Sequence, residues 1–196
     1  MKRIFFSLAI LCFAFQVEAQ TVISPEDIQI KTAVLAAPSD KQAAAKVYGY
    51  APDGSFKILR NGTNDFVCIA DDPTKKDINV ACYHADLEPF MERGRTLNKE
   101  GKTQKEIFDI REEEVKSKKL LMPKQPATLY SFSGSAENYD PKTGVLKDGY
   151  MRYVVYIPYA TSETTGLPLK PDVPGMPWIM DPGTHRAHIM INPAKK

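Results

Sequence analysis

The most apolar run of the chain lies at its start, from Ile4 to Phe15, and is interrupted only by Ser7. Lys2 and Arg3 precede it, and Val17-Glu18-Ala19 follows with small residues at the two positions a signal peptidase reads. A positive start, an apolar middle and a small-residue end are the three parts of a secretory signal, with Gln20 as the expected new N-terminus. The run is too short for a stable bilayer-spanning helix, which takes about 20 residues, and no later stretch is apolar enough to supply one. A buried N-terminal helix would need a polar face, which Ile4 to Phe15 lacks. Cys12 invites a lipoprotein reading, but bulky Leu11 stands where a lipid-modified cysteine follows a small residue. The pattern predicts a signal peptide over residues 1–19 and a single domain over residues 20–196.

Beyond the signal, the pattern divides into strands, then helices, then strands. Ser24-Pro25-Glu26-Asp27 reads as a helix start: Ser24 to cap, Pro25 at the first helical position, and acids at the positive helix end. This helix runs to about Ala37, before Pro38. Ser39 and Gln42 form a second capping box over a short Ala-rich turn. Lys46–Ala51, Phe56–Arg60 and Asp65–Ala70 read as an antiparallel β-meander. Its turns are Pro52-Asp53-Gly54 and Asn61-Gly62, the latter the strongest hairpin signal in the chain. Asn61-Gly62-Thr63 is also a glycosylation sequon, but a turn explains the same residues without modification.

Residues 71–81 form a polar loop returning to Cys82, ahead of a helix that Asp86 can cap. Pro89 is tolerated in its first turn, and it ends by Gly94 or shortly after. Thr103 and Glu106 open another helix by a capping box, extending to about Lys119. Glu112–Lys116 and Glu114–Lys118 are favourably ordered pairs on what reads as a solvated face. Thr128–Phe132, Tyr150–Tyr159, Trp178–Met180 and Ala187–Ile191 read as strands, the last two around a Gly183 turn. Residues 133–149 are a polar loop. Pro168, Pro171, Pro174 and Pro177 recur every third residue and would line one face of a polyproline II segment. A stiffened surface loop accounts for them, as would a ligand for a proline-reading domain. This order gives the fold class α+β: an antiparallel β-meander and C-terminal strands packed with a few helices.

Charge and cysteine usage narrow the function. Cleavage removes Lys2, Arg3 and Glu18, so basic residues fall from 26 to 24 and acidic ones from 24 to 23, a net charge near +1. That is no footprint for nucleic acid and no polybasic patch for anionic lipid. Cleavage also removes Cys12, leaving Cys68 and Cys82. Two cysteines in an oxidising compartment most simply pair, and closing so short a loop stabilises by about 3 kcal/mol in the chain-entropy model. The rival reading, a metal-binding or reactive thiol pair, fits no zinc spacing.

The candidate chemistry rests on three histidines, His84, His185 and His188, which together could hold a zinc or copper ion with an open position. His185 and His188 stand three apart, a spacing that shares a face on a helix but not on the strand this segment predicts. Ser133-Gly134-Ser135 is not a nucleophile elbow, and only a Ser135–His188–Asp140 triad could make use of it. No phosphate-cradling glycine loop is present. Asp71-Asp72 and the acidic run 112–114 lack calcium-loop spacing.

Two stretches carry a resemblance. Leu59-Arg60-Asn61-Gly62-Thr63-Asn64, followed by Cys68 and Cys82, is similar to a motif of uncharacterised exported bacterial proteins. Pro177-Trp178-Ile179-Met180, Gly183-Thr184 and Ala187-His188-Ile189-Met190 resemble the C-terminal motif of the same proteins. The resemblance implies a secreted single-domain protein with paired cysteines, and it supplies no catalytic residues.

The leading expectation is an exported, non-catalytic binding or structural module of the cell envelope, without a cofactor. Its partner would be a small molecule or an envelope protein. Arg60, Asn64, Trp178 and His188 are the candidate ligand-binding residues, if the two motifs meet. The alternative from the enzyme class is a metal-dependent hydrolase or oxidase using His84, His185 and His188.

Overall fold

A computed structural model of the chain describes residues 23–195. The predicted signal peptide, Cys12 and Gln20 lie outside the described residues. The helices are α1 (Glu26–Ala33), α2 (Glu88–Lys99), α3 (Gln104–Lys116) and the single turn α4 (Ser162–Thr165). The strands are β1 (Lys46–Tyr50), β2 (Phe56–Arg60), β3 (Phe66–Ile69), β4 (Ile78–His84), β5 (Ala127–Gly134), β6 (Tyr139–Asp140), β7 (Val145–Leu146), β8 (Tyr150–Tyr156), β9 (Trp178–Met180) and β10 (His188–Ile191). Eight strands form one mixed sheet in the order β2-β1-β3-β4-β5-β8-β10-β9, and β6 and β7 form a separate hairpin. The class is α+β, as the element order predicts.

Helices cover the sheet on both sides, and the alternation of side chains along each strand feeds both layers. Phe66, Cys68, Val80 and Cys82 join the cluster beneath α1 and the 3-10 turn Val34–Ala36. Val67 and Tyr83, one step along the same strands, join the cluster with Leu87 and Phe90 at the start of α2. Cys68 and Cys82 face each other across β3 and β4 and are disulfide-bonded. The bridge therefore joins neighbouring strands rather than a strand and a helix start, because the loop after β3 gives way to β4 at Ile78. Among the described residues no helix is long and apolar enough to cross a membrane.

The expected meander is corrected at its strongest signal. Asn61-Gly62 does not turn β2 back onto β3. β2 pairs only with β1, antiparallel, and β3 lies on the other side of β1, parallel to it. The chain must cross the start of β1 to get there, and Gly62 makes the crossing: a Cβ there would collide with the backbone of Lys46 and Ala45. Thr63 and Asn64 then donate their amides to the Ala44 carbonyl at 2.8 and 3.3 Å. Gly62→Ala is expected to lower stability by about 1–3 kcal/mol, the range for forcing atoms into a filled space, as read by urea unfolding. An unchanged midpoint would show that the crossing can move aside.

Local signals elsewhere are replaced by longer-range contacts. Pro25, not Ser24, takes the N-cap of α1, and the Ser24 carbonyl accepts from the Gln29 side chain. The Ser39–Gln42 capping box does not form; Gln42 donates to the Ala37 carbonyl instead. His84, rather than Asp86, caps the turn before α2 by accepting the Asp86 amide. α2 passes through Gly94, where a Cβ would come within 2.9 Å of the Arg111 guanidinium. A glycine that reads as a helix stop is thus the groove that admits an arginine from α3. The Thr103–Glu106 capping box forms as predicted. Glu114 turns to Arg93, at 2.7 Å, because Lys118 lies past the end of α3 at φ 60°. The four prolines do not share a face: Pro168 and Pro171 are half-buried and Pro174 and Pro177 exposed, with a turn at Gly175 (φ 85°) between them.

Candidate functional site

The residues singled out by the sequence do not assemble. Arg60 lies on β2 and Trp178 on β9, the two opposite edges of the sheet. Arg60 spends its guanidinium on main chain, donating to the Ala45 and Gln42 carbonyls at 2.9 and 2.6 Å. Asn64 donates to the Lys41 carbonyl and accepts the Phe66 amide. Both residues therefore secure the crossing over β1. Trp178 is half-buried, and its indole N–H is buried without an acceptor. His188 is buried, with Nδ1 at 2.7 Å from the Arg186 carbonyl.

The histidine cluster is corrected as well. His84 sits at the end of β4 beside Asp65 and Asp86, at 3.5 and 3.6 Å. His185 and His188 lie elsewhere, around Phe90 and Tyr156. Among the described residues no group of three or more histidine, cysteine or acidic side chains is placed to hold a metal ion. Ser135 and Asp140 are each engaged locally, with Glu137 and with Lys142 and Thr143, and neither is hydrogen-bonded to His188.

His185 has a partner that the sequence reading assigned to a solvated face. It is wholly buried, and one oxygen of Glu112 takes both its amide, at 2.8 Å, and its Nδ1, at 2.5 Å. Burial pushes Glu112 up, but the hydrogen bonds from His185 and Lys116 outweigh it and hold the carboxyl below its ordinary value. Burial pushes His185 down more than Glu112 raises it. The pair is thus an ionised carboxylate accepting from a neutral imidazole. Phe90 and Phe108 pack against the ring, and Nε2 is buried without a partner. Through these two hydrogen bonds the pair fastens the loop before β10 to α3.

A cavity lies beside the start of α1. It is a half-open space of about 350 Å³ between the start of α1, the end of β1, the loop joining β3 to β4, and the β6–β7 hairpin. Gln29 and Thr32, both buried, set its frame. Gln29 donates to the Ser24 and Tyr50 carbonyls and accepts the Tyr50 amide. The Thr32 hydroxyl lies 3.0 Å from the Ile28 carbonyl and 2.9 Å from the Tyr139 phenol. With its own proton given to the carbonyl, Thr32 accepts from Tyr139, leaving the phenol oxygen able to accept from a guest.

Two titratable groups face this space with shifted affinities. Burial pushes Asp71 up to about 6, reinforced by neighbouring Asp72, against the hydrogen bond from the Asn79 amide. Burial pushes Tyr50 up to about 12, with Asp72 and Asp71 adding to it. Among the described residues the Tyr50 hydroxyl has no hydrogen-bond partner. Pro73, Pro141, Ile23 and Ile78 supply apolar wall and Lys75 a cation. Compared with family models, curated proteins and solved structures, the chain matches none.

The site therefore stands on its geometry. A concave space of this size, with a few convergent polar groups and shifted titration, fits a small ligand. Along the chain Asp71 shows only as half of an acidic pair with Asp72 that lacks calcium-loop spacing. The one available signal was that Tyr50, Asp71 and Tyr139 all flank Gly- or Pro-containing turns.

Proposed function

We propose that the protein is an exported, non-catalytic binding module of the cell envelope. Its ligand is a small molecule held in the cavity between α1 and the loop joining β3 to β4. The observation that supports this most is Asp71: a carboxyl kept reluctant to ionise, beside an unpartnered phenol, in a half-open cavity. A guest offering an ammonium or other strong donor would relieve that carboxylate and pack its apolar part against Pro73, Pro141 and Ile78. The non-catalytic part of the reading follows from the roles of the remaining polar side chains. Gln29 and Thr32 are committed to main chain, and His185 and His188 are walled in by aromatic rings. Export is supported by the signal pattern of residues 1–19 and by the Cys68–Cys82 disulfide.

The test is a screen of small primary amines and neutral amides by thermal shift at pH 7.5. A hit should raise the melting temperature of the wild-type protein and lose at least tenfold in affinity in Asp71→Asn and Tyr50→Phe, both remaining folded. A hit that binds both variants unchanged would place the ligand elsewhere. If no compound of either kind binds, the cavity reading fails. Export is checked separately, by the mass of the protein recovered from a bacterial periplasm: it should begin at Gln20.

A further inference from the structure

The sheet face on which α2 and α3 pack changes character along its strands. One cross-strand row is Tyr83, Leu129 and Val154, all in the apolar cluster or against it. The next row on the same face is Ala81, Ser131 and Arg152, and the one after is Asn79, Ser133 and Tyr150. Small residues beside Arg152 leave a trough, and a wide cleft of about 1190 Å³ opens over it.

Arg152 is the one charge on the floor of this trough, and it is not neutralised from within. Among the described residues no carboxylate lies within ion-pairing distance of it. Its Nε is buried without an acceptor, and its nearest polar contact is the Ser133 hydroxyl, 3.5 Å from Nη2. A guanidinium half-withdrawn from water without a counter-charge is unfavourable, and the usual remedy is an oxyanion that takes two parallel N–H donors. Lys75, Lys76 and Lys195 stand at the rim against Asp77 and Asp148, leaving a positive bias. Tyr150 donates to the Pro193 carbonyl at 2.8 Å, and the Lys195 ammonium stands 5.7 Å from its ring centroid.

We propose that this trough is an oxyanion site, in which Arg152 takes a carboxylate or phosphate group of a ligand that extends along the cleft toward Lys195. Ser133 supplies a further donor, and the rim lysines attract the anion without fixing its geometry. The guanidinium's planar fork makes the site selective for oxyanions over halide. The site goes beyond the cavity beside Asp71 and does not depend on it, although Lys75 borders both.

The experiment follows the Arg152 Nε–H resonance of the full mature protein by ¹H–¹⁵N NMR while inorganic phosphate, sodium acetate and sodium chloride are added in turn. The expected result is a saturable shift with phosphate or acetate, and only a weak, linear one with chloride. Whichever oxyanion binds more tightly names the source chemistry. Arg152→Lys should weaken binding at least tenfold, because it keeps the charge and loses the fork, whereas Asp71→Asn should leave it unchanged. A resonance that stays still, or that moves equally with chloride, overturns the proposal. Unaltered binding in Arg152→Lys does so too. Should Arg152→Lys not fold, the wild-type titration alone decides.

Discussion

Replacing Cys68 and Cys82 together with alanine is expected to lower stability by about 3 kcal/mol and the thermal midpoint by roughly 6–12 °C. The two sulfurs close a loop with a sequence separation of 14, and in the unfolded chain that closure removes conformations the folded state does not need. Both cysteines are fully buried and belong to the core cluster under α1, so alanine also gives up packing around Val47 and Val80. Calorimetry on the double variant, beside wild type with and without reductant, measures the effect. Equal midpoints for all three samples would show that β3 and β4 hold their register without the bridge.

Removing Glu112 is the second large effect. In Glu112→Ala the amide and Nδ1 of His185 lose their shared acceptor inside the protein, at about 1–3 kcal/mol for each stranded donor, so a total near 3 kcal/mol is expected. The ion pair of Glu112 with Lys116 contributes little, because the lysine is largely exposed, and Lys116→Ala should change stability by less than about 0.5 kcal/mol. Urea unfolding of the two variants separates these contributions, and similar values for both would remove Glu112 from its role as the fastener of the loop before β10.

The same pair sets a pH dependence. Burial depresses the folded-state affinity of His185 and His188 for protons below the ordinary histidine value. As pH falls through about 6.5 the unfolded chain takes up protons that the folded one refuses. Each histidine then lowers stability by up to about 1.4 kcal/mol per pH unit, until its folded value is reached. Glu112 acts lower: its stabilisation is complete above the ordinary carboxylate range and is lost as pH falls through its depressed folded value. Asp71 opposes both, since at about 6 it holds a proton between that pH and the ordinary aspartate value that the unfolded chain releases. From pH 7 to pH 5 His188→Phe should therefore lose less stability than wild type. Parallel curves would mean that His188 is not held neutral.

What was legible in the sequence was what neighbours in the chain decide. The Thr103–Glu106 box, the turn after β1 and most strand bounds depend on residues within a few positions of one another, and they form as read. Asn61-Gly62 was misleading because the same flexible pair serves a tight hairpin or a close crossing. The residue that decides, Lys46, lies far back in the chain. Gly94 misled in the same way, since Arg111 fills its groove from another helix. Arg60 and Asn64 bond to main chain around the crossing, a role no spacing along the chain announces. Glu112 carried a readable clue: it falls one turn after Phe108 and beside buried Arg111, on the seam of α3 rather than its wet face. The cavity and the Arg152 trough carried none, because each draws its walls from segments scattered along the chain.

β2 has one neighbour in the sheet, while β1 behind it is already paired to β3 on its other side. The strand is therefore a leaf bound along one side. Were it lifted from the Phe56 end, β1 would keep its parallel pairing to β3, but the Phe56 ring would leave its stack on Tyr48, and the last residue of β2, Arg60, would still be tied to the Ala45 and Gln42 carbonyls. Lifting it would also strip Tyr50 of its antiparallel partner Phe56, so the outer edge of the sheet backs the wall of the cavity beside Asp71.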